Sequence, residues 1–527
     1  MLKNVEKRCI IFTANIETPK NNFIGVDIMS STYHHSAISV SISALNAEVS
    51  GSCLPVDIKY SDGKSTRFLV DCGMFQERQY RQLNAQKFPF DSRNYECLLI
   101  THCHADHYEK TPILFKEGFD GIVYTTATTK KLMYRASLDS YRIMMADSKN
   151  KKCKPLYSES DVQAVIKHTV GYKIGETIDI DDRVKVTFLD NGHILGATSF
   201  FVQISYLGQE RCILFSGDYK GKSIWKEVKK IPEWVRKKNK TVVCESTYGN
   251  VDSKDVEIKF KNDILKLIKS GKSVLIFVFA QGRTQEVLYE LKEAQNSGQL
   301  SKSVSIYLDG NLAQENTHIY QVSDEIDEEK RDFLPDNFHT INKENRESVI
   351  QSDEQRIILT TSGMGDHGPA QIYIPALIEN ENFAFYFTGF VSNDSLAYRI
   401  LHSKKIKLNE KEYNVNAEVY TTTEFSAHAK ADQLLEYLRE CGKVDCVLLN
   451  HGEKNVQKIF GQRILDEGIC EQVESLSEHT AILGEHGIIR VIGSKFYSVR
   501  KVKKEKKEGN KRTKKSLRRY QLKVCRH

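Results

Sequence analysis

The chain has 527 residues, 40% of them hydrophobic and 28% charged, which is typical of a globular protein with two or three domains. No apolar run approaches the roughly 18 residues of a membrane-spanning helix, and the first apolar segment is too short for a secretory signal, so we expect a cytoplasmic protein without membrane contact. The formal net charge is +7, yet residues 500–527 alone carry fourteen Lys or Arg against two Glu, so the remainder is acidic.

The first half of the chain has the pattern of a β-rich domain. Helical spacing at residues 127–145 predicts one helix, and Ser158 with Asp161 forms a capping-box start for a second that ends near residue 168. Alternating or β-branched segments predict strands at residues 37–45, 51–60, 65–70, 97–100, 184–189, 198–206, 212–215 and 241–244.

The pattern changes at about residue 253, where helices and strands begin to alternate. Helices are predicted at 255–270 and 284–296, and strands at 274–279, 303–308, 356–359 and 383–387. Such alternation is typical of a parallel sheet covered by helices. The charged segment 323–356 is predicted to be a helical or loop excursion. After about residue 420 the first pattern returns, with a strand at 446–449, so we predict one α/β domain interrupted by another.

The basic segment at residues 500–527 carries a net charge of +12, and its first part, residues 501–515, has almost no apolar side chains. Such a composition cannot bury a core, so we expect this tail to be disordered. Two interpretations stay open at this point. The tail is either a solvated terminus or an arm that binds a polyanion, because clustered Lys and Arg release counterions when they meet phosphates.

Three imidazoles and a carboxylate fall within six positions directly after a short apolar strand: His102, His104, Asp106 and His107. Side chains at i and i+2 share one face of an extended segment, so His102 and His104 can converge on one metal ion. Asp106 and His107 lie past the end of the strand and can turn toward a second ion. Imidazole and carboxylate donors favour Zn²⁺, with Mn²⁺ or Fe²⁺ as alternatives.

Further candidate ligands lie where other buried strands end. Asp71, Asp218, Glu245 and His451 each follow a run of apolar residues. In open α/β sheets the loops at the carboxyl ends of the strands meet in a crevice, and ligands bind there. We therefore expect these four side chains to lie beside the histidine cluster.

Taken jointly, these segments resemble the metallo-β-lactamase fold and specifically its β-CASP branch of nucleic-acid hydrolases, which includes the cleavage-and-polyadenylation endonuclease subunit and bacterial and archaeal ribonucleases. The resemblance covers residues 38–495. It rests on the histidine cluster and on segments at residues 71–76, 192–197, 216–219, 245–249, 282–286, 361–364, 425–429 and 450–453. It implies an α/β fold, namely a metallo-β-lactamase αββα sandwich with an inserted β-CASP α/β domain.

The same resemblance implies how the chain is divided. We expect an N-terminal arm at residues 1–37, the metallo-β-lactamase domain at 38–250 and 417–499, the β-CASP domain at 251–416, and the basic tail at 500–527. It also implies two Zn²⁺ per chain. The implied ligands are His102, His104 and His193 for one ion, Asp106, His107 and His451 for the other, and Asp218 as a bridge between the two.

Roles beyond metal binding follow from the resemblance as well. Asp71 would accept a hydrogen bond that fixes the tautomer of an imidazole ligand. Asp106, Glu245 and His428 would be the catalytic residues, with His428 as the acid that protonates the leaving group and Glu245 as the carboxylate that orients it. The family usually has Asp two residues after this histidine, whereas this chain has Lys430.

Substrate preference is inferred from His451, because members that act on DNA usually carry Val there, and this favours RNA. The segment 219–240 has nine Lys or Arg against two Glu and either follows a phosphate backbone or forms a solvated amphipathic face. Arg283, Ser362 and Gly363 are expected to contact the substrate.

The function expected from these residues is a zinc-dependent ribonuclease that hydrolyses phosphodiester bonds of single-stranded RNA by a two-metal mechanism, in RNA processing or decay. Whether the protein cuts RNA internally or from a 5′ end stays open. Whether it forms a homodimer or joins an RNA-processing assembly stays open as well. The alternatives are a catalytically silent RNA-binding scaffold of the same fold, or a DNA nuclease.

Overall fold

The computed structural model describes residues 36–46, 48–151, 154–477 and 479–493. Nearly all of the expected N-terminal arm, and the whole of the basic tail, lie outside the described residues. Within the described part, no helix combines the length and the apolar composition that crossing a membrane requires.

The described chain up to residue 250 combines strands with helices. Its strands are β1 (Ile38–Ser43), β2 (Leu54–Tyr60), β3 (Ser65–Val70), β4 (Cys97–Leu99), β5 (Ile122–Thr126), β6 (Thr169–Tyr172), β7 (Thr177–Asp179), β8 (Val184–Asp190), β9 (Thr198–Tyr206), β10 (Gln209–Phe215) and β11 (Lys240–Glu245). Its helices are α1 (Ala105–Tyr108), α2 (Thr111–Lys116), α3 (Ala127–Lys151), α4 (Glu159–His168) and α5 (Glu233–Arg236). The predicted capping box at Ser158 and Asp161 is present at the start of α4.

Helices and strands alternate in the next part, and its strands pair in parallel except in one antiparallel hairpin. They are α6 (Phe260–Lys269), β12 (Ser273–Phe277), α7 (Arg283–Asn296), β13 (Ser305–Asp309), α8 (Asn311–Gln321), β14 (Phe338–Ile341), α9 (Arg346–Gln351), β15 (Arg356–Thr360), α10 (Ala370–Leu377), β16 (Phe383–Phe387), α11 (Leu396–His402), β17 (Lys405–Leu408), β18 (Lys411–Asn414) and β19 (Glu418–Thr421). The last part contains α12 (Ala431–Glu440), β20 (Val444–Asn450), α13 (Lys454–Asp466), β21 (Val473–Ser475), β22 (His479–Gly484) and β23 (Gly487–Gly493).

Two of the sheets pack face to face. One has the strand order β23-β22-β1-β2-β3-β4-β5-β6 and the other β21-β20-β11-β10-β9-β8-β7, so both contain strands from the first and last parts of the chain. The apolar faces of both sheets interdigitate in one core that includes Val56, Phe68, Phe200 and Leu448. Helices α12 and α13 pack on the outer face of the second sheet, and α2, α3 and α4 on that of the first.

The middle part forms its own parallel sheet, with the order β14-β13-β15-β12-β16-β19. Its central strands β15, β12 and β16 are buried on both faces, as parallel strands covered by helices are. The prediction of one α/β domain interrupted by a second is therefore confirmed. The charged segment 323–356 contains a strand and a short helix, β14 and α9, in place of the simple excursion expected from its composition.

Candidate metal centre

The strand directions explain why the candidate ligands meet. Strands β3 and β4 are parallel, and β10, β11 and β20 are parallel to one another in the facing sheet. Their carboxyl ends, and that of β8, therefore open at the same edge of the sandwich, where loops converge in a crevice. Asp71, His193, Asp218 and His451 all follow these strand ends, and Glu245 is the last residue of β11.

The first group of donors consists of His102, His104, His193 and Asp218, whose ligand atoms lie within 4.8 Å of one another. Nδ1 of His104 is 3.0 Å from Nε2 of His102 and 3.1 Å from Nε2 of His193. Oδ2 of Asp218 is 3.5 Å and 3.6 Å from the same two Nε2 atoms. The structure therefore brings together the set that the family resemblance implies for one ion.

The second group consists of Asp106, His107 and His451. Nε2 of His451 is 3.2 Å from Nε2 of His107 and 3.4 Å from Oδ2 of Asp106. The carboxylate of Asp218 also reaches this group, with Oδ2 3.3 Å from Nε2 of His107 and Oδ1 3.4 Å from Nδ1 of His451. Asp218 thus lies between the two groups, where a bridging ligand belongs.

The donor chemistry fits a metal cofactor. Nδ1 of His193 faces the carbonyl oxygen of Ala427 at 2.8 Å, so it carries the proton and Nε2 presents its lone pair to the other imidazoles. A set of converging imidazole nitrogens and a carboxylate suits a bound cation, and Oδ1 of Asp218 is buried without a hydrogen-bond partner. Burial lowers the pKa of His102 and His193 well below the usual range, and that of His104 to about 4. These imidazoles are therefore neutral, which is the form that binds metal.

Carboxylates make the surroundings of the second group favourable for positive charge. Burial opposes the charged form of His107, yet the carboxylates of Asp218 and Asp71 outweigh it and raise the pKa of His107 well above its usual value. The surroundings of this imidazole therefore favour a positive charge, which a divalent cation supplies.

Asp71 lies behind the second group and orients it. Its Oδ2 is 2.7 Å from Nδ1 of His107, so the imidazole donates this N–H and directs Nε2 toward the other donors. The backbone N–H of Thr101 donates to Oδ1 of Asp71 at 2.8 Å, and the Thr101 hydroxyl lies 3.0 Å from Nδ1 of His102. Asp71 has a φ of 60°, a left-handed conformation that Asp and Asn tolerate better than most residues. One carboxylate therefore fixes an imidazole in the tautomer that binds metal.

We predict that Asp71→Asn weakens metal binding about 10- to 100-fold, the range that loss of such a supporting hydrogen bond usually costs. Asn keeps the shape and the left-handed backbone but offers His107 no carboxylate. Competition for zinc against a chelator of known affinity measures the change. Asp57→Asn, which removes a partner of Arg67 on the same sheet, is the matched control. An unchanged zinc affinity in Asp71→Asn would show that Asp71 has no part in metal binding.

Gly73 is a position at which only glycine fits. A Cβ at this residue would lie 1.6 Å from the carbonyl oxygen of Asp106. The segment after β3 pairs with the start of α1 here, since Cys72 N–H donates to the carbonyl of His107 and Met74 N–H to that of Ala105. This close backbone approach places the short helix that carries Asp106 and His107.

The proposed catalytic pair is also assembled. Nδ1 of His428 is 3.0 Å from both carboxylate oxygens of Glu245, and Nε2 is 3.7 Å from Oδ2 of Asp218. Glu245 in turn accepts the backbone N–H of Tyr219 at 2.7 Å. Burial disfavours the charged imidazole, but Glu245 and Asp218 outweigh it and raise the pKa of His428 to about 9. His428 therefore holds a proton on the side of the ring that faces the metal groups.

One orienting residue was not singled out from the sequence. The hydroxyl of Thr247 lies 3.0 Å from Nδ1 of His451 and donates to the His451 carbonyl at 3.1 Å. His451 adopts a φ of 50°, so this contact holds a strained ligand in place. Thr247 belongs to the segment 245–249, but its contact depends on the fold and is not visible in the residue pattern.

The expected substrate residues lie at the edge of the inserted domain. Arg283 begins α7 and donates to the carbonyl of Thr388. Gly282 places this helix start against the loop that carries His193, because its Cβ would lie 3.0 Å from Ile194. Ser362 and Gly363 lie in the loop after β15, and the Gly363 backbone packs against the ring of Phe279.

The basic strip at residues 219–240 offers fewer unpaired cations than its composition predicts. Trp225 is buried and packs against Tyr289, Tyr320 and Phe333 of the inserted domain, so it anchors this segment. Three lysines pair with carboxylates at 2.7–3.2 Å: Lys220 with Glu286, Lys226 with Asp190, and Lys238 with Glu210.

Comparison with known proteins identifies two family models in this chain. One, described as the Beta-Casp domain, matches residues 284–400, and the other, described as a Zn-dependent metallo-hydrolase RNA specificity domain, matches residues 412–475. Among curated relatives, the transcription termination factors FttA of Methanothermobacter thermautotrophicus and Methanococcus maripaludis are 31% and 32% identical over 436 and 434 residues. Both alignments cover 77% of this chain and 65% of the relative, so the chain spans slightly less than two thirds of these proteins.

Proposed function

The chain belongs to the β-CASP family of the metallo-β-lactamase superfamily, and on that basis we propose that it is a zinc-dependent ribonuclease. Its reaction would be the hydrolysis of phosphodiester bonds of single-stranded RNA, in RNA processing or decay. The observation that carries this proposal is the convergence of both metal-ligand groups with a protonated His428 in one crevice.

The metal ligands have separate tasks in this proposal. His102, His104 and His193 would hold one Zn²⁺, Asp106, His107 and His451 the other, and Asp218 would contact both. When bound, zinc supplies Lewis acidity, which makes a nucleophile available near neutral pH and polarises the phosphoryl oxygen.

The remaining residues orient groups and move a proton. His428 donates the proton on Nε2 to the leaving oxygen, while Glu245 holds Nδ1 and stabilises the positive charge of the ring. Glu245 is itself fixed by the backbone N–H of Tyr219, so the imidazole has one orientation. Asp71 and Thr247 hold His107 and His451 in the rotamers that point into the crevice.

Three observations favour RNA as the substrate. The family model that matches residues 412–475 is described as an RNA specificity domain, and the relatives are named transcription termination factors. His451 occupies the position at which DNA-acting members usually carry Val. A catalytically silent scaffold is less well supported, because the sequence has every ligand that the resemblance implies and their donor atoms lie close together.

Metal analysis combined with cleavage assays tests the proposal. We expect two zinc ions per chain by mass spectrometry, and cleavage of unstructured RNA that a chelator abolishes. RNA labelled separately at each end, with and without a 5′ phosphate, distinguishes internal cutting from progress along the strand. Fully metallated protein that cuts neither nucleic acid would identify a scaffold, and faster cutting of a matched DNA oligomer would identify a DNA nuclease.

A further inference from the structure

Three cationic side chains gather beside the catalytic pair: Lys220, Arg283 and Lys430. Lys430 is only 6% exposed, and its Nζ lies 3.3 Å from the ring centroid of Tyr248. That ring is in turn 6.1 Å from the ring of His428. We call these three cations the Lys430 cluster.

The backbone fixes the members of the Lys430 cluster close to the metal-binding loops. Ala429 N–H donates to the carbonyl of Tyr219 at 2.7 Å, so the segment before Lys430 is tied to the residue before Lys220. A parallel bridge joins Lys430 to Tyr248. Lys430 is therefore held between the loop after β10, which carries Asp218, and the loop after β11.

Two carboxylates near the Lys430 cluster are engaged, one by His428 and one by Lys220 of the cluster itself. Glu245 is bound to His428 and to the N–H of Tyr219. Glu286 pairs with Lys220 at 3.2 Å. Burial lowers the pKa of Lys430 to about 8. The like charges of Lys220 and Arg283 act in the same direction, and the carboxylate of Glu245 opposes them. The cluster thus has an excess of positive charge in a poorly hydrated place, which an anion would stabilise.

Lys430 also occupies a position where lysine does not help the fold. It is the N-cap residue of α12, where Ser, Thr, Asp and Asn are preferred because their side chains accept a backbone N–H. A cation there also lies at the positive end of the helix dipole. Gln433 compensates in part by accepting the Lys430 N–H at 2.8 Å. Neither helix capping nor helix electrostatics accounts for an ammonium group at this site.

We propose that Lys430, supported by Lys220 and Arg283, binds the substrate phosphate that flanks the scissile linkage on the leaving-group side. The assignment of the side follows from sequence and space, since Lys430 is two residues from His428, which protonates the leaving oxygen. Ammonium and guanidinium groups bind phosphate oxygens through short charge-assisted hydrogen bonds. This inference rests on the proposed function and adds to it a subsite for the neighbouring nucleotide.

Replacing one phosphate by a neutral group tests the contact directly. The substrate is an RNA oligomer whose cleavage position is mapped, with a single methylphosphonate at either flank of the scissile linkage. The leaving-group flank is the one in the product that carries the new hydroxyl terminus. The variants are Lys430→Met, which keeps an apolar stem over Tyr248, Lys430→Arg, which keeps the charge, and the control Lys407→Met in the exposed β17–β18 hairpin.

We expect Lys430→Met to lower kcat/KM on unmodified RNA about 10- to 100-fold, as loss of a charged hydrogen bond does. The methylphosphonate on the leaving-group flank should slow the wild type by a similar factor and should not slow Lys430→Met any further. Lys430→Arg, which keeps the charge, should lose less activity than Lys430→Met and should stay sensitive to the methylphosphonate. The control Lys407→Met should behave like the wild type. A purely structural role would give independent losses that multiply.

Each other outcome is decisive. The phosphate assignment would be overturned if the losses from Lys430→Met and from the methylphosphonate multiplied. It would also be overturned if the two changes were non-additive only when the methylphosphonate is at the opposite flank. The ribonuclease activity would stand in both cases. If Lys430→Met does not fold, the wild type alone tests the proposal. A wild-type rate that the methylphosphonate on the leaving-group flank does not change would also overturn the phosphate assignment. A wild-type protein that leaves all these RNAs intact would instead refute the proposed function.

Discussion

The Asp218→Ala variant is expected to fold normally and to bind fewer than two metal ions per chain, with loss of RNA cleavage. The carboxylate of Asp218 approaches both groups of imidazoles, with Oδ2 3.3 Å from Nε2 of His107 and 3.5 Å from Nε2 of His102. Removing it would take away the anion that offsets the charge of the two metal ions we propose at the centre of the site. Metal content after dialysis, measured by mass spectrometry, is the primary readout.

The fold should survive this change, because the structural contacts of Asp218 are made by its backbone. Asn191 donates to the Asp218 carbonyl at 2.9 Å and to that of Ser216 at 3.1 Å, and Ala has the same backbone. Circular dichroism should therefore match the wild type. Asp57→Ala serves as the control for loss of a carboxylate elsewhere. If Asp218→Ala retained two tightly bound zinc ions, the bridging role of Asp218 would be wrong.

Local pattern predicted the strands of the sandwich well. The predicted ranges 65–70, 198–206 and 383–387 coincide with β3, β9 and β16, because alternation or continuous apolar character records which faces are buried. Short elements were missed because a pattern of burial needs several residues to become visible. The four-residue helix α1, which carries Asp106 and His107, has too few residues to show a period, and its position depends on the close approach of Gly73.

The candidate site illustrates a second limit. The spacing of His102 and His104 was sufficient to expect convergence, since two residues of an extended segment share a face. Contacts between distant segments were not predictable, such as the hydroxyl of Thr247 on His451 or the carbonyl of Ala427 on His193. They arise only when loops at six strand ends are brought to one edge. The composition of the strip at 219–240 likewise does not show that Lys220, Lys226 and Lys238 pair with carboxylates outside it.

His428→Ala is expected to retain both metal ions and to cleave RNA about 10²- to 10⁴-fold more slowly, the usual contribution of a positioned general acid. The imidazole also lies near Asp218 and His451, but it is outside both ligand sets that the resemblance implies, so its removal keeps every residue of those two sets. Glu245 keeps its hydrogen bond from Tyr219 and stays ordered. The control His339→Ala removes an exposed imidazole from β14.

The chemistry of the leaving group separates an acid from a structural residue. In an RNA whose leaving oxygen is replaced by sulfur, the departing thiolate needs no proton, because a thiol has a pKa near 8.5. His428→Ala should therefore lose far less activity on this substrate than on normal RNA, whereas a misfolded or metal-poor site would lose equally on both. Equal losses, or a near-normal rate on normal RNA, would exclude His428 as the acid. The proton would then have to come from another group in the crevice, and Lys430, held over Tyr248 beside Glu245, is the next candidate to substitute.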